Sequence, residues 1–190
     1  MIFFLKNPLS TQTKRVFSLD KKRHLQIESI RVYTFNMSLF IAADHRGFEL
    51  KNKLIEYLQE QNIRVEDIGN YEYDPLDDNP DFAQRLAQAV LQKPDSMGIV
   101  ICGSGVGVCI TTNRFKGIRC ALSFKKEQVE HARQNDHINV LSIPSDYIDF
   151  EMAKELVNIF LKTKPVEEEK YLRRMKKMDA LIDTPIKTTI

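Results

Sequence analysis

Five short apolar runs, separated by stretches with the period of a helix, fill the middle of this chain and leave few folds open to it. The runs are Ser38-Leu39-Phe40-Ile41-Ala42-Ala43, the alternating Ile63-Arg64-Val65-Glu66-Asp67-Ile68-Gly69, Met97-Gly98-Ile99-Val100-Ile101-Cys102, Ile118-Arg119-Cys120-Ala121-Leu122 and Asn139-Val140-Leu141-Ser142-Ile143. Between them lie helical stripes: Leu50, Leu54, Ile55 and Leu58, then Ala83, Leu86, Ala87, Val90 and Leu91 after Pro80. A further helix is expected over 125–134, and Met152, Ala153, Leu156, Val157, Phe160 and Leu161 mark another before Pro165. Strands that are apolar on both faces must be covered on both faces, which is the condition of a parallel sheet between helix layers. The pattern predicts an α/β domain over 37–164, a Rossmann-like, doubly wound five-stranded parallel sheet. Such sheets bind ligands beyond the carboxyl ends of their strands. That directs attention to the loops after Ala43, Ile68, Cys102, Leu122 and Ile143.

The flanks read differently. All seven glycines fall between Gly47 and Gly117, and residues 1–36 hold seven basic residues against two acids with no sustained period. A disordered basic leader is expected there. Because the positive excess sits outside the domain, no nucleic-acid role is expected. No apolar run approaches the roughly 20 residues of a membrane span. Three cysteines without a C-x-x-C pair argue against a disulfide framework or zinc ribbon and suit a reducing, cytoplasmic compartment. Residues 165–190 carry Tyr171, Met175, Met178 and Ile182 at helical spacing, with Lys170, Arg173, Arg174, Lys176 and Lys177 on the other face. They predict a C-terminal helical extension that docks on a partner subunit and turns basic side chains toward an anion.

The strongest chemical signal is Cys102-Gly103-Ser104-Gly105-Val106-Gly107, set between a buried strand and a helix. Glycines there let backbone N–H groups converge on an anion, and such surroundings favour a thiolate over a thiol. The spacing fails the dinucleotide fingerprint, since Val108 stands where the third glycine belongs, and no Gly-Lys-Ser/Thr follows for a nucleotide loop. Asp44-His45-Arg46-Gly47 at the end of the first strand is a second patch suited to a hydroxyl proton and an anion. The acidic run Asp74, Asp77, Asp78, Asp81 lacks the spacing of a calcium loop, because Arg85 occupies the twelfth position. Asp78 is the member expected to reach the site.

Together these motifs resemble the ribose-5-phosphate isomerase type B and galactose-6-phosphate isomerase family. The resemblance rests on Ala43-Asp44-His45-Arg46-Gly47-Phe48-Glu49-Leu50-Lys51, Ile101 to Gly107, Asn113-Arg114-Phe115-Lys116-Gly117-Ile118-Arg119 and Asn139-Val140-Leu141, and it spans residues 38–178. It implies aldose–ketose isomerisation of a sugar phosphate in the pentose phosphate pathway, with neither metal nor cofactor, in a homodimer or dimer of dimers. It implies that Cys102 is the base and that Ser104, with the amides of Gly103, Gly105, Val106 and Gly107, steadies the enediolate. Asp44 would then contact the sugar, while His45, Lys170 and Arg174 would hold the phosphate. The chain also departs from the family. Asn135 stands where the ring-opening histidine belongs, so His137, beside Asp136, is the candidate for that acid and Asp136 for substrate binding. Asp146 replaces a phosphate-binding arginine, and Asn79 replaces a tyrosine. A related isomerase of different substrate, one half of a hetero-oligomer, and a weakened sugar-phosphate-binding protein are the alternatives.

Overall fold

The computed structural model describes residues 37–181; the expected leader lies outside the described residues. Five strands, β1 (Leu39–Ala43), β2 (Val65–Asp67), β3 (Met97–Cys102), β4 (Cys120–Leu122) and β5 (Val140–Pro144), form one sheet in the order β2-β1-β3-β5-β4. Every pairing is parallel. The three central strands are buried along their whole length, as their unbroken apolar runs require. The edge strands β2 and β4 keep only three residues each, shorter than the apolar patterns around them. Beside β4 the Arg119 carbonyl still accepts the Asn139 and Val140 N–H groups, at 3.1 and 3.3 Å.

Six helices follow: α1 (Phe48–Glu60), α2 (Asn79–Gln92), α3 (Val106–Thr112), α4 (Lys126–Asn135), α5 (Phe150–Lys162) and α6 (Glu169–Leu181). Leu54 and Leu58 of α1, Val129 of α4 and Leu156 and Phe160 of α5 pack on one sheet face, with Ile41, Ile99 and Ile101. Phe82, Leu86 and Val90 of α2 and Val108 of α3 cover the other, against Phe40, Val100 and Val140. Local chemistry sets the helix starts: Pro80 lies in the first turn of α2, and the Asp149 carboxylate caps α5 by accepting from the Met152 N–H at 2.8 Å.

From β1 the chain turns toward β2 on one side, while β3 leads toward β5 and β4 on the other. The connections therefore part between the carboxyl ends of β1 and β3, where a crevice opens in sheets of this kind. Asp44 and Cys102 stand at those two ends.

Candidate active site

The register brings the two signature motifs together. Ala42 pairs with Val100 and Ala43 with Ile101, and the Asp44 N–H donates to the Ile101 carbonyl at 3.2 Å. One step further, Asp44 stands beside Cys102 on a neighbouring strand, and alternation points both toward the α2/α3 side. The Cys102 Sγ accepts the Gly105 N–H at 3.1 Å. This bond needs the chain to fold back within three residues, which Gly105 permits with φ +73°; a Cβ there would lie 2.5 Å from Leu122 Cδ1. The Gly105 carbonyl accepts from the Ser142 hydroxyl at 2.6 Å, tying the loop to β5. Within the protomer Cys102 is 4% exposed. The Gly105 N–H thus gives the buried sulfur a backbone donor. Ser104 is exposed, its Oγ accepting from the Val106 N–H at 3.3 Å. The first-turn amides of α3, including those of Val106 and Gly107, have no carbonyl one turn earlier within the helix.

Asp44 is almost fully buried. Its Oδ1 accepts the N–H groups of Arg46 and Gly47, each at 3.0 Å. Burial pushes its carboxyl above the ordinary carboxylate value, against the pull of those amides and of His45. His45 meets a carboxylate that sequence reasoning misplaced by one residue. Its Nδ1 lies 2.6 Å from Asp77 Oδ1, and its backbone N–H donates to the same oxygen at 3.1 Å. Asp78, the expected member, instead occupies the N-cap position of α2 and is exposed. The apolar and helical periods stop before this loop, so no periodicity could choose between the two. Asp44, His45 and Asp77 are the only group of three or more acidic, histidine or cysteine residues with metal-binding geometry among the described residues, their ligand atoms lying within 4.8 Å of one another. The 2.6 Å contact is a hydrogen-bond distance, with no room for an ion between those two atoms.

At the lip, Arg46 and Asp146 form an ion pair, Nε to Oδ2 2.9 Å and Nη2 to Oδ2 2.7 Å. A Cβ on Gly103 would lie 2.5 Å from Asp146 Oδ2 and 2.6 Å from Arg46 Nε, so the pair roofs the glycine loop. Asp146 is thus not a bare negative charge facing a phosphate. Asn79 packs over the same loop: its Oδ1 would lie 2.7 Å from a Cβ on Gly107 and is buried without a hydrogen-bond donor.

Within one protomer, four of the sequence-derived candidates lie elsewhere. His137 and Asp136 precede β5, at the amino edge of the sheet, whereas Cys102 ends β3 at the carboxyl edge. The five residues of β5, at about 3.3 Å each, separate the two edges. His137 is held there: its Nε2 lies 3.0 Å from the Val166 carbonyl, and its own carbonyl accepts from Arg119 Nε at 3.0 Å. The shift of a loop does not bring this ring to the Cys102 of its own chain. Lys170 and Arg174 ride on α6, which buries no residue and meets the same amino edge through Arg119 Nη1 and Asp179 at 3.5 Å. Lys170 pairs with Glu168 at 2.7 Å.

The two remaining thiols lie side by side, Cys109 Sγ 3.6 Å from the Cys120 carbonyl, with the Asn113 amide bonded to both residues. The Cys120 thiol, the Leu122 backbone and Asn113 hold the Cys109 thiol down at about 7, while burial pushes Cys120 up.

A family model described as Ribose/Galactose Isomerase matches residues 39–178. A protein of Mycoplasma pneumoniae named "Probable ribose-5-phosphate isomerase B" is 45% identical over 126 residues, covering 66% of this chain and 83% of the relative. A D-erythrulose-4-phosphate isomerase of Pectobacterium atrosepticum is 35% identical, over 66% of this chain and 82% of its own. Among solved structures, ribose-5-phosphate isomerase B from Mycoplasma genitalium with bound ribulose-5-phosphate superposes with a TM-score of 0.72 at 36% identity, covering 76% of this chain and 95% of that one. The Thermotoga maritima ribose 5-phosphate isomerase gives 0.71 at 37% identity, covering 75% and 97%. With the thiol, the glycine loop and the buried aspartate converging at one crevice, and with the family model running from the first strand almost to the end of the last helix, the chain belongs to the ribose/galactose isomerase family.

Proposed function

We infer that the protein is a sugar-phosphate isomerase that interconverts ribose 5-phosphate and ribulose 5-phosphate through an enediolate. The observation that carries the mechanism is the Cys102 sulfur, held by the Gly105 N–H beside the buried Asp44 carboxyl. Starting from the aldose, the thiolate takes the proton from C2, and the electron pair moves onto the C1 oxygen. A proton passes from the C2 oxygen to the C1 oxygen, and the thiol returns its proton to C1. The negative oxygen formed on the way is what Ser104 and the loop amides stabilise, and one such preorganised donor is worth about 2.7–4 kcal/mol.

Ring opening needs an acid at the ring oxygen. Asp44 suits that position within the protomer, its carboxyl raised above the ordinary value by burial. His137 takes the role only from a second subunit, as do Lys170 and Arg174 in the phosphate pocket. The enzyme is accordingly a homodimer or a dimer of dimers, working in the cytoplasm. Val106 and Ile110, 45% and 52% exposed on α3 beside the loop, offer an apolar surface for that contact.

One observation favours a second substrate. The Arg46–Asp146 pair stands at the lip where the family carries an arginine, and a relative at 35% identity is named for a four-carbon ketose phosphate. A coupled assay of the purified protein on ribose 5-phosphate and on erythrulose 4-phosphate, each with Cys102→Ala as control, decides both questions. Preferred turnover of the pentose, abolished by the substitution, is expected. Saturable binding without turnover of either sugar would make it a sugar-phosphate-binding protein.

A further inference from the structure

Asp77 lies in a loop with no regular structure, yet its side chain is 7% exposed and fully engaged. Oδ1 takes two donors from a single residue, the ring Nδ1 and the backbone N–H of His45. Oδ2 accepts from Asn70 Nδ2 at 2.7 Å. Asn70 is itself strapped down, its N–H donating to the Ala43 carbonyl at 2.8 Å and its carbonyl accepting from Lys51 Nζ at 2.5 Å. Lys51 is fully buried and paired with Asp67 at 2.6 Å. A continuous chain of polar contacts thus runs from a buried lysine on α1 to one imidazole at the mouth of the site. A carboxylate facing Nδ1 can only accept, so the proton resides on Nδ1 and Nε2 is left as the ring atom for a ligand.

We propose that Asp77 is a positioning residue of the isomerase: it holds the Nδ1–H of His45 and turns the ring so that Nε2 faces a phosphate oxygen of the substrate, to which it donates once the ring carries its second proton. This rests on the isomerase reading for its kinetic part and not for its spectroscopic part. Asn at position 77 has one acceptor oxygen and one donor nitrogen, so it cannot satisfy both His45 and Asn70. The Asp77→Asn ring is freed to rotate and to exchange tautomers, and because phosphate contacts act on ground state and transition state alike, the loss falls on KM.

The test compares wild type, Asp77→Asn, His45→Ala and the double variant on ribose 5-phosphate, with ring-nitrogen NMR of His45 in the ligand-free protein. Expected are a KM raised about tenfold in Asp77→Asn with kcat little changed, partial recovery in Asp77→Glu, and a double variant no worse than His45→Ala. The Nδ1 resonance should report a protonated nitrogen in wild type and a tautomer mixture in Asp77→Asn. Losses that multiply in the double variant, or a His45 ring signal unchanged by Asp77→Asn, would overturn the assignment. If Asp77→Asn does not fold, Asn70→Ala, which removes one donor and leaves the carboxylate, should give the same pattern in weaker form; an unchanged KM and ring signal there would also overturn it. Absence of turnover in wild type would sink the isomerase reading alone, since the tautomer is read without substrate.

Discussion

Asp44 pays for its place in the site with stability. Its carboxyl is pushed above 3.8 by burial, with Gly47, His45 and Arg46 opposing. A raised acid binds more protons in the folded chain than in the unfolded one, so its contribution is fullest below 3.8 and is lost as pH rises through the folded value. Asp44→Asn removes the charge and keeps an oxygen for the Arg46 and Gly47 amides. Thermal melts should therefore show the variant more stable than wild type at pH 7, the gain vanishing as pH falls below the ordinary carboxylate range, while its turnover collapses. A variant less stable at pH 7 would show that the amide bonds outweigh desolvation. At this scale the sequence was only partly legible. Cys102, Asp44 and His45 could be picked out because glycines and strand ends flank them. Asp77 could not, since it sits among four acids in an aperiodic loop, and neither could the Arg46–Asp146 pair, whose members lie 100 residues apart.

The elements followed their periods closely. β3 begins and ends where its apolar run does, and α1, α2, α4 and α5 lie within a few residues of their stripes. The edge strands came out short because an apolar pattern does not reveal how many neighbours a strand will have. Among the elements, the turn from β3 into α3 is where conformation and chemistry are most tightly joined. Gly105→Ala forces a side chain into a left-handed backbone and against Leu122, at a cost of about 1–3 kcal/mol. It also moves the N–H that faces Cys102, so urea unfolding should show that loss together with a kcat reduced by about 10²–10³. Full activity in a folded Gly105→Ala protein would mean that this amide does not matter to the sulfur.

For the whole molecule, the parallel topology puts Asp44 and Cys102 at one edge of the sheet and His137, Lys170 and Arg174 at or beyond the other. On the proposed reading a second copy brings the two sets together, each subunit of a two-fold dimer lending its amino-edge residues to its partner. Mixing Cys102→Ala with Arg174→Ala subunits, each inactive alone, should then restore activity, up to about a quarter of wild type when exchange is statistical; no recovery after verified exchange would confine the site to one chain. Isomerisation of ribose 5-phosphate in D2O, followed for wild type and Cys102→Ala, goes to the heart of the mechanism. Wild type should form ribulose 5-phosphate carrying deuterium at C1, and the substitution should lower both turnover and isotope uptake by about 10²–10⁴. Turnover by Cys102→Ala within tenfold of wild type, with deuterium still entering at C1, would show that another group moves the proton.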